Sequence, residues 1–234
     1  MSHLRWAAVI VAAGRGERFG RPKQLVDVAG LPMVAWSLRA FADMPEVAAV
    51  VVVTEEPWIE QMRELFAIFA PAHKPFVIRG GATRQESVRN GLREVPLGCD
   101  AVLVHDGARP LVGEGDVRAA MREVRPGRAA LLTGLVVDTM KVIDPQTRRV
   151  LRTVDRATMR AAQTPQLATL PDMMRAHDEA SRDGIEATDD ATLLERIGVE
   201  VIAVDASGEN FKVTMPADVT RAEALLHEKT HVRP

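Results

Sequence analysis

"VIVAAGRGERFGRPKQ", residues 9–24, is an apolar run that stops at two small residues and passes into glycine, arginine and lysine. This is the pattern of a buried strand followed by a phosphate-binding loop, and the kind of loop decides the fold. A dinucleotide fingerprint needs G-x-G-x-x-G. Gly14 and Gly16 fit, but the third place is Phe19 and Gly20 comes one residue late. Where a second strand should end in an acidic residue, the chain reads "GLPMVAWS", a loop and a helix start. The pattern G-x-x-x-x-G-K-[ST] cannot be placed either. What remains is a longer loop from which Arg15, Arg18, Arg21 and Lys23 project. Backbone amides near Gly14 and Gly16 can cradle phosphate oxygens. The cations can neutralise charge that grows on a leaving pyrophosphate.

Working outward, short β-branched runs alternate with helical patterns. Strands are expected at 7–12, 48–54, 75–80, 101–106 and 199–205, and helices in "PMVAWSLRAFADM", "WIEQMRELFAIFA", "TRQESVRNGLREV" and "EGDVRAAMREV". Several strands are apolar throughout, as when helices cover both faces of a sheet. Thr83 and Glu86 have the spacing of a capping box. The alternation predicts a three-layer α/β/α sandwich, with a mostly parallel, Rossmann-like sheet and its ligands at the carboxyl ends of the strands. One domain is expected over 1–234, with a β-hairpin arm inserted at 138–156, where two strand-like segments flank the turn cluster "DPQT". A lone hairpin is marginal in water and needs a surface to lean on.

Composition excludes several function classes. The formal net charge is −2 and aromatics make up 4% with no tyrosine, so neither bulk attraction to nucleic acid nor an aromatic platform for single strands is expected. No apolar run approaches the length of a membrane span. "WAAVIVAAG" could pass for a signal h-region, but it is short and the charges that follow at once suit a strand end better than a cleavage site. One cysteine, Cys99, fits a reducing, cytoplasmic setting. Only five of the thirty basic residues are lysine, so a lysine inside a motif marks a site wanting a compact ammonium.

"VLVHDGARP" (102–110) ends an apolar strand in Asp106, where a carboxylate can bind Mg²⁺ or a hydroxyl, with Arg109 three residues on in a loop suited to phosphate. His105 reads as a strand residue. "NFKVTMPAD" (210–218) reads as a short β-like run before a helix starting near Pro216, holding Lys212 on a rigid element. "HEKTH" (227–231) matches H-E-x-x-H in form only, because no third ligand follows it.

The opening loop resembles the signature of nucleotidyltransferases that activate sugar and sugar-alcohol phosphates. "GGATRQESVRNGL" (80–92), "VLVHDGARP", "VVDTMK" (136–141), "TVDR" (153–156), "QTPQ" (163–166), "TDDA" (188–191) and "NFKVTMPAD" occur in the order found in the 2-C-methyl-D-erythritol 4-phosphate cytidylyltransferase family. Nearly the whole chain is covered. The resemblance implies CMP transfer from CTP to the polyol phosphate with release of pyrophosphate, assisted by Mg²⁺ or another divalent cation. It implies that Arg18 and Lys23 stabilise the α-phosphate and departing pyrophosphate, and that Lys212 and Arg156 orient the attacking phosphate. Asp106, Arg109 and Thr139 would contact the polyol. Ala12, Ala13, Gly14, Gly81 and Ser87 would line the cytidine pocket, with Arg15 and Gly16 also in the binding loop. The arm, with Thr139 and Arg156, would clasp a second subunit in a homodimer. Two departures stand out: Gly107 replaces a frequent alanine, and Ala82 an aspartate found in some members. A sister cytidylyltransferase for ribitol 5-phosphate and a non-catalytic nucleotide-binding module are the alternatives.

Overall fold

The computed structural model describes residues 4–14 and 22–231, with side chains to 228. In chain order it contains β1 (Trp6–Val11), β2 (Asp27–Val28), β3 (Leu31–Pro32), α1 (Met33–Ala42), β4 (Val47–Thr54), α2 (Ile59–Phe69), β5 (Phe76–Arg79), α3 (Arg84–Arg93), β6 (Ala101–Asp106) and α4 (Glu114–Glu123). There follow β7 (Arg128–Leu135), β8 (Lys141–Ile143), β9 (Val150–Thr153), β10 (Arg160–Thr169), α5 (Leu170–Arg182), α6 (Asp190–Arg196), β11 (Glu200–Asp205) and α7 (Pro216–His231).

Seven strands form one sheet in the order β11-β7-β10-β6-β1-β4-β5. Every pairing in it is parallel except those of β10, which runs antiparallel to both neighbours. β1 shows why the sheet is central. Ala8 and Ile10 join Leu38, Phe41 and Phe66 of α1 and α2 on one face. Val9 joins Val88 and Leu92 of α3, and Met173 and Ala176 of α5, on the other. Fully burying one such aliphatic or aromatic side chain stabilises by about 1.5–3 kcal/mol. α3 approaches the sheet closely because of Gly91, where an added Cβ would lie 2.6 Å from Val9 Cγ1 and 2.8 Å from Val53 Cγ2.

The crossovers from β1 leave on one face through α1, while α3 returns on the other. The chain thus reverses direction along the sheet between β1 and β6, and open α/β sheets bind ligands outside the carboxyl ends of strands at such a point.

Four strands, the short β2 and β3 and the longer β7 and β10, were not expected from sequence. "RAALLTGL" is rich in helix formers. β10 contains Pro165 and polar residues, which argue against an interior strand; the ladder to β7 shifts register between Ala162 and Gln166, across that proline. The anticipated β-run at Phe211–Thr214 is instead an irregular extended segment. It is tied down by Val213 N–H donating to Ala108 O at 2.9 Å. α7 does start at Pro216, and Asp218 accepts from the Thr214 and Met215 amides at 2.7 and 2.8 Å.

β8 and β9 form a two-stranded antiparallel sheet of their own. Asp144 Oδ1 accepts from the Gln146 and Thr147 amides and closes the "DPQT" turn. Leu135, Val137, Val150 and Leu151, on or beside this hairpin, are each more than half exposed. Among the described residues no helix is long and apolar enough to cross a membrane.

Candidate active site

The carboxyl ends of β1 and β6 open into a cavity of about 760 Å³. Ala12, Ala13 and Gly14 line it from β1, Gly81 and Ser87 from the start of α3, and Asp106 from β6. Lys23 and Lys212 close it from the far side. A third apolar cluster, with Val26, Val28, Met33, Ala108, Val213 and Leu226, packs the β2–β3 hairpin against α7 and so brings the two lysine-bearing segments together. Lys23 Nζ donates to Val213 O at 3.3 Å. A smaller cavity of about 250 Å³ adjoins the first, and Arg84, Asp106 and Lys212 line both.

The capping box forms at the rim. Thr83 Oγ1 accepts from Glu86 N–H at 3.1 Å, and Glu86 Oε2 accepts from Ala82 N–H at 2.7 Å, one residue ahead of the usual partner. Ser87 Oγ accepts from Gly81 N–H at 3.0 Å and donates to Thr83 O at 2.9 Å, so it holds the loop open against the cavity. Gly81 is required here, since a Cβ would lie 2.3 Å from Glu86 Cβ.

Asp106 is the electrostatic centre. Lys212 Nζ donates to Oδ2 at 2.7 Å, Arg84 Nε donates to Oδ1 at 3.1 Å, and Arg109 Nε lies 4.0 Å from Oδ2. Burial alone would raise its pKa, but Arg84, Lys212 and Arg109 together outweigh this and hold the carboxyl well below the usual range. Arg84 in turn places Nη1 and Nη2 each 3.0 Å from Asp190 Oδ2, and His177 Nε2 lies 3.0 Å from Asp190 Oδ1. Burial works against the Arg84 charge, yet Asp190 and Asp106 raise its pKa overall. Burial also raises the Asp190 pKa, and Arg84 and His177 reverse that to a net depression. Arg109 is buried too, which lowers its pKa, and its Nη1 donates to Asn210 O at 2.8 Å.

Of the residues expected from sequence, Arg15, Gly16 and Arg18 lie outside the described residues. Arg109 lines only the smaller cavity. Among the described residues, Thr139 and Arg156 line neither; both are exposed on the arm, where Arg156 Nη1 donates to Val137 O at 2.6 Å. Gly107 keeps its backbone bond, N–H to Val11 O at 2.9 Å, and Ala82 sits on the cavity wall. Sequence reasoning assigned no role to Arg84, Asp190 or Thr164. Arg84 did carry a signal: a cation in the first turn of a helix faces the positive end of the macrodipole, so it needs carboxylates nearby.

Comparison with known proteins identifies the family. The family model described as IspD, 2-C-methyl-D-erythritol 4-phosphate cytidylyltransferase, matches residues 6–228. The proteins of that name from Streptomyces avermitilis and Dictyoglomus thermophilum are 41% and 32% identical to this chain. The alignments cover 96% and 93% of it, and 93% and 95% of theirs. The crystal structure of 2-C-methyl-D-erythritol 4-phosphate cytidylyltransferase from Thermus thermophilus superposes with a TM-score of 0.75 at 34% identity, covering 94% of this chain and 98% of that one. A family model over residues 6–228 and relatives of this identity and coverage place the chain in the 2-C-methyl-D-erythritol 4-phosphate cytidylyltransferase family of nucleotidyltransferase enzymes.

Proposed function

We propose that this chain transfers the cytidylyl group of CTP to 2-C-methyl-D-erythritol 4-phosphate and releases pyrophosphate, a step toward isoprenoid precursors. The observation that carries the reading is Asp106, held by Lys212 and Arg84 on the wall shared by two cavities. The larger cavity takes the nucleotide against the end of β1, and the smaller takes the polyol phosphate. An oxygen of the polyol phosphate attacks the α-phosphorus in line as the pyrophosphate bond breaks. The protein's task is to position two polyanions and to stabilise charge. Lys23 stabilises the departing pyrophosphate, a role that the family resemblance also gives to Arg18. Lys212 orients the attacking phosphate.

The residues present fit a divalent cation that enters with the nucleotide. Among the described residues no group of three or more His, Cys, Asp or Glu is placed to hold a metal. Magnesium sites of this kind use phosphate oxygens, waters and one or two carboxylates. Asp106 and Glu55 are carboxylates on the wall of the larger cavity; Asp106 would be the one to hold the ion, which would offset phosphate charge.

The exposed arm is read as a dimer clasp. An unsupported hairpin is marginal, and its bare apolar residues suit a two-fold contact with the same arm of a second copy. Arg156 and Thr139 then serve the partner's site, and the remainder of 1–234 acts as one catalytic domain. Mixed dimers test this: an inactive Lys23→Ala chain reassociated with an inactive Arg156→Ala chain regains activity if sites are shared, and stays dead if Arg156 acts on its own chain. No nucleic acid or membrane partner is invoked, and a cytoplasmic setting suits the soluble substrates. The reaction itself is tested by pyrophosphate release with 2-C-methyl-D-erythritol 4-phosphate and with ribitol 5-phosphate in parallel. Preference for the first supports the reading, preference for the second favours the sister activity, and no release with either indicates a non-catalytic nucleotide-binding module.

A further inference from the structure

His105 is fully buried behind Asp106, with its ring edge-on to Phe41 at 5.0 Å between centroids. Both ring nitrogens are engaged. Nε2 lies 3.1 Å from Arg109 O, and Nδ1 lies 3.2 Å from Thr164 Oγ1. A carbonyl oxygen only accepts, so Nε2 carries the proton. The ring is fully buried and its nitrogens meet a carbonyl and a hydroxyl, not a carboxylate, so nothing pairs an imidazolium charge and the ring is neutral. In a neutral ring Nδ1 is then an acceptor. Thr164 Oγ1 accepts the Asp106 amide at 3.0 Å and must give its own proton to His105 Nδ1. A hydroxyl has one proton and two lone pairs. Its proton and one lone pair are committed, and Thr164 lines the smaller cavity.

We propose that His105 is a positioning residue that fixes Thr164 as a hydrogen-bond acceptor, so that the wall of the smaller cavity receives a hydroxyl of the second substrate and turns away its phosphate. Phosphate oxygens accept and do not donate, so a phosphate against Thr164 Oγ1 meets lone pairs. A polyol hydroxyl donates there without rearrangement. Lys212 and Arg109, which supply donors to the same cavity, are left for the phosphate. Together they set which end of the substrate enters each part of the cavity. This inference rests on the cytidylyl-transfer reading, and wild-type turnover is the control that separates the two.

The first measurement needs no substrate. Nitrogen-15 spectra of histidine-labelled wild-type protein at neutral pH should show His105 neutral with the proton on Nε2. A proton on Nδ1 would overturn the proposal. The second is a double-mutant cycle with His105→Phe and Thr164→Val, following KM for each substrate. His105→Phe frees the Thr164 hydroxyl to swing its proton into the cavity. It should raise KM for the polyol phosphate about 10- to 100-fold, the range for leaving a buried polar contact unmatched, and leave KM for CTP within about threefold. In a Thr164→Val background the same change should add little. His105→Asn, which keeps an acceptor near the Nδ1 position, should recover most of the loss. Equal rises in both KM values, or effects that add across the cycle, would assign His105 a structural role and refute the proposal. If the variants fail to fold, the tautomer alone decides.

Discussion

Arg84→Met removes the bridge between Asp106 and Asp190, and its cost follows from the geometry. Asp190 is 1% exposed and loses both guanidinium contacts at 3.0 Å, retaining His177 alone. Asp106 loses its 3.1 Å contact but keeps Lys212. Stranding a buried charge by removing its partner costs about 3–5 kcal/mol. In a chain of this length that lowers Tm by roughly 10 °C. The deficit must depend on pH. In the wild type the Asp190 pKa is depressed, so its pairing contributes stability above the unfolded pKa and loses it as pH falls through the folded value. In the variant burial dominates, the folded pKa moves above the unfolded one, and the neutral carboxyl is favoured at low pH. Wild type and variant should therefore differ most near pH 7 and converge toward about pH 4. Urea unfolding at both pH values measures this. Adding Asp190→Asn should recover more than half of the neutral-pH deficit, because no charge is then stranded. A deficit below about 1 kcal/mol at pH 7, or one equal at both pH values, would refute the reasoning.

Other expectations follow from the same structure. Lys23→Ala should lower turnover about 100-fold or more while leaving unfolding nearly unchanged, and Lys23→Arg should rescue poorly because a planar fork does not replace an ammonium; steady-state kinetics and urea curves check both. Gly91→Ala should destabilise by about 1–3 kcal/mol in thermal unfolding, since its Cβ would overlap Val9 and Val53. CTP should exceed UTP in kcat/KM by orders of magnitude, because a site that pairs a base edge leaves polar groups unmatched by the wrong base; comparable values would contradict it.

Much of the fold was legible because β-branched runs and turn residues alternate cleanly, from Trp6–Val11 to Ala101–Asp106. β7 and β10 were not legible. Their residues reflect tertiary surroundings, a helix-forming "RAALL" held in a sheet and a proline tolerated at a register shift. The same limit applies to the site. Lys23, Asp106 and Lys212 stand in local motifs, and the first structural surprise is what binds them. Arg84 meets Asp190 across 106 positions, and Thr164 meets Asp106 across 58. No local window contains such pairs. The segment carrying Lys212 looked like a strand because alternating Phe211 and Val213 bury apolar groups, yet its partners are Ala108 and α7 and no ladder forms.

The central claim is that the polyol phosphate attacks the α-phosphorus of CTP. It is tested most directly by following oxygen-18 placed in the phosphate of 2-C-methyl-D-erythritol 4-phosphate, with the products separated and weighed by mass spectrometry. In-line attack at the α-phosphorus predicts that all of the label appears in the cytidylylated product and that the pyrophosphate carries none. Label in the pyrophosphate, or release of CMP without a labelled diphosphate product, would contradict the account.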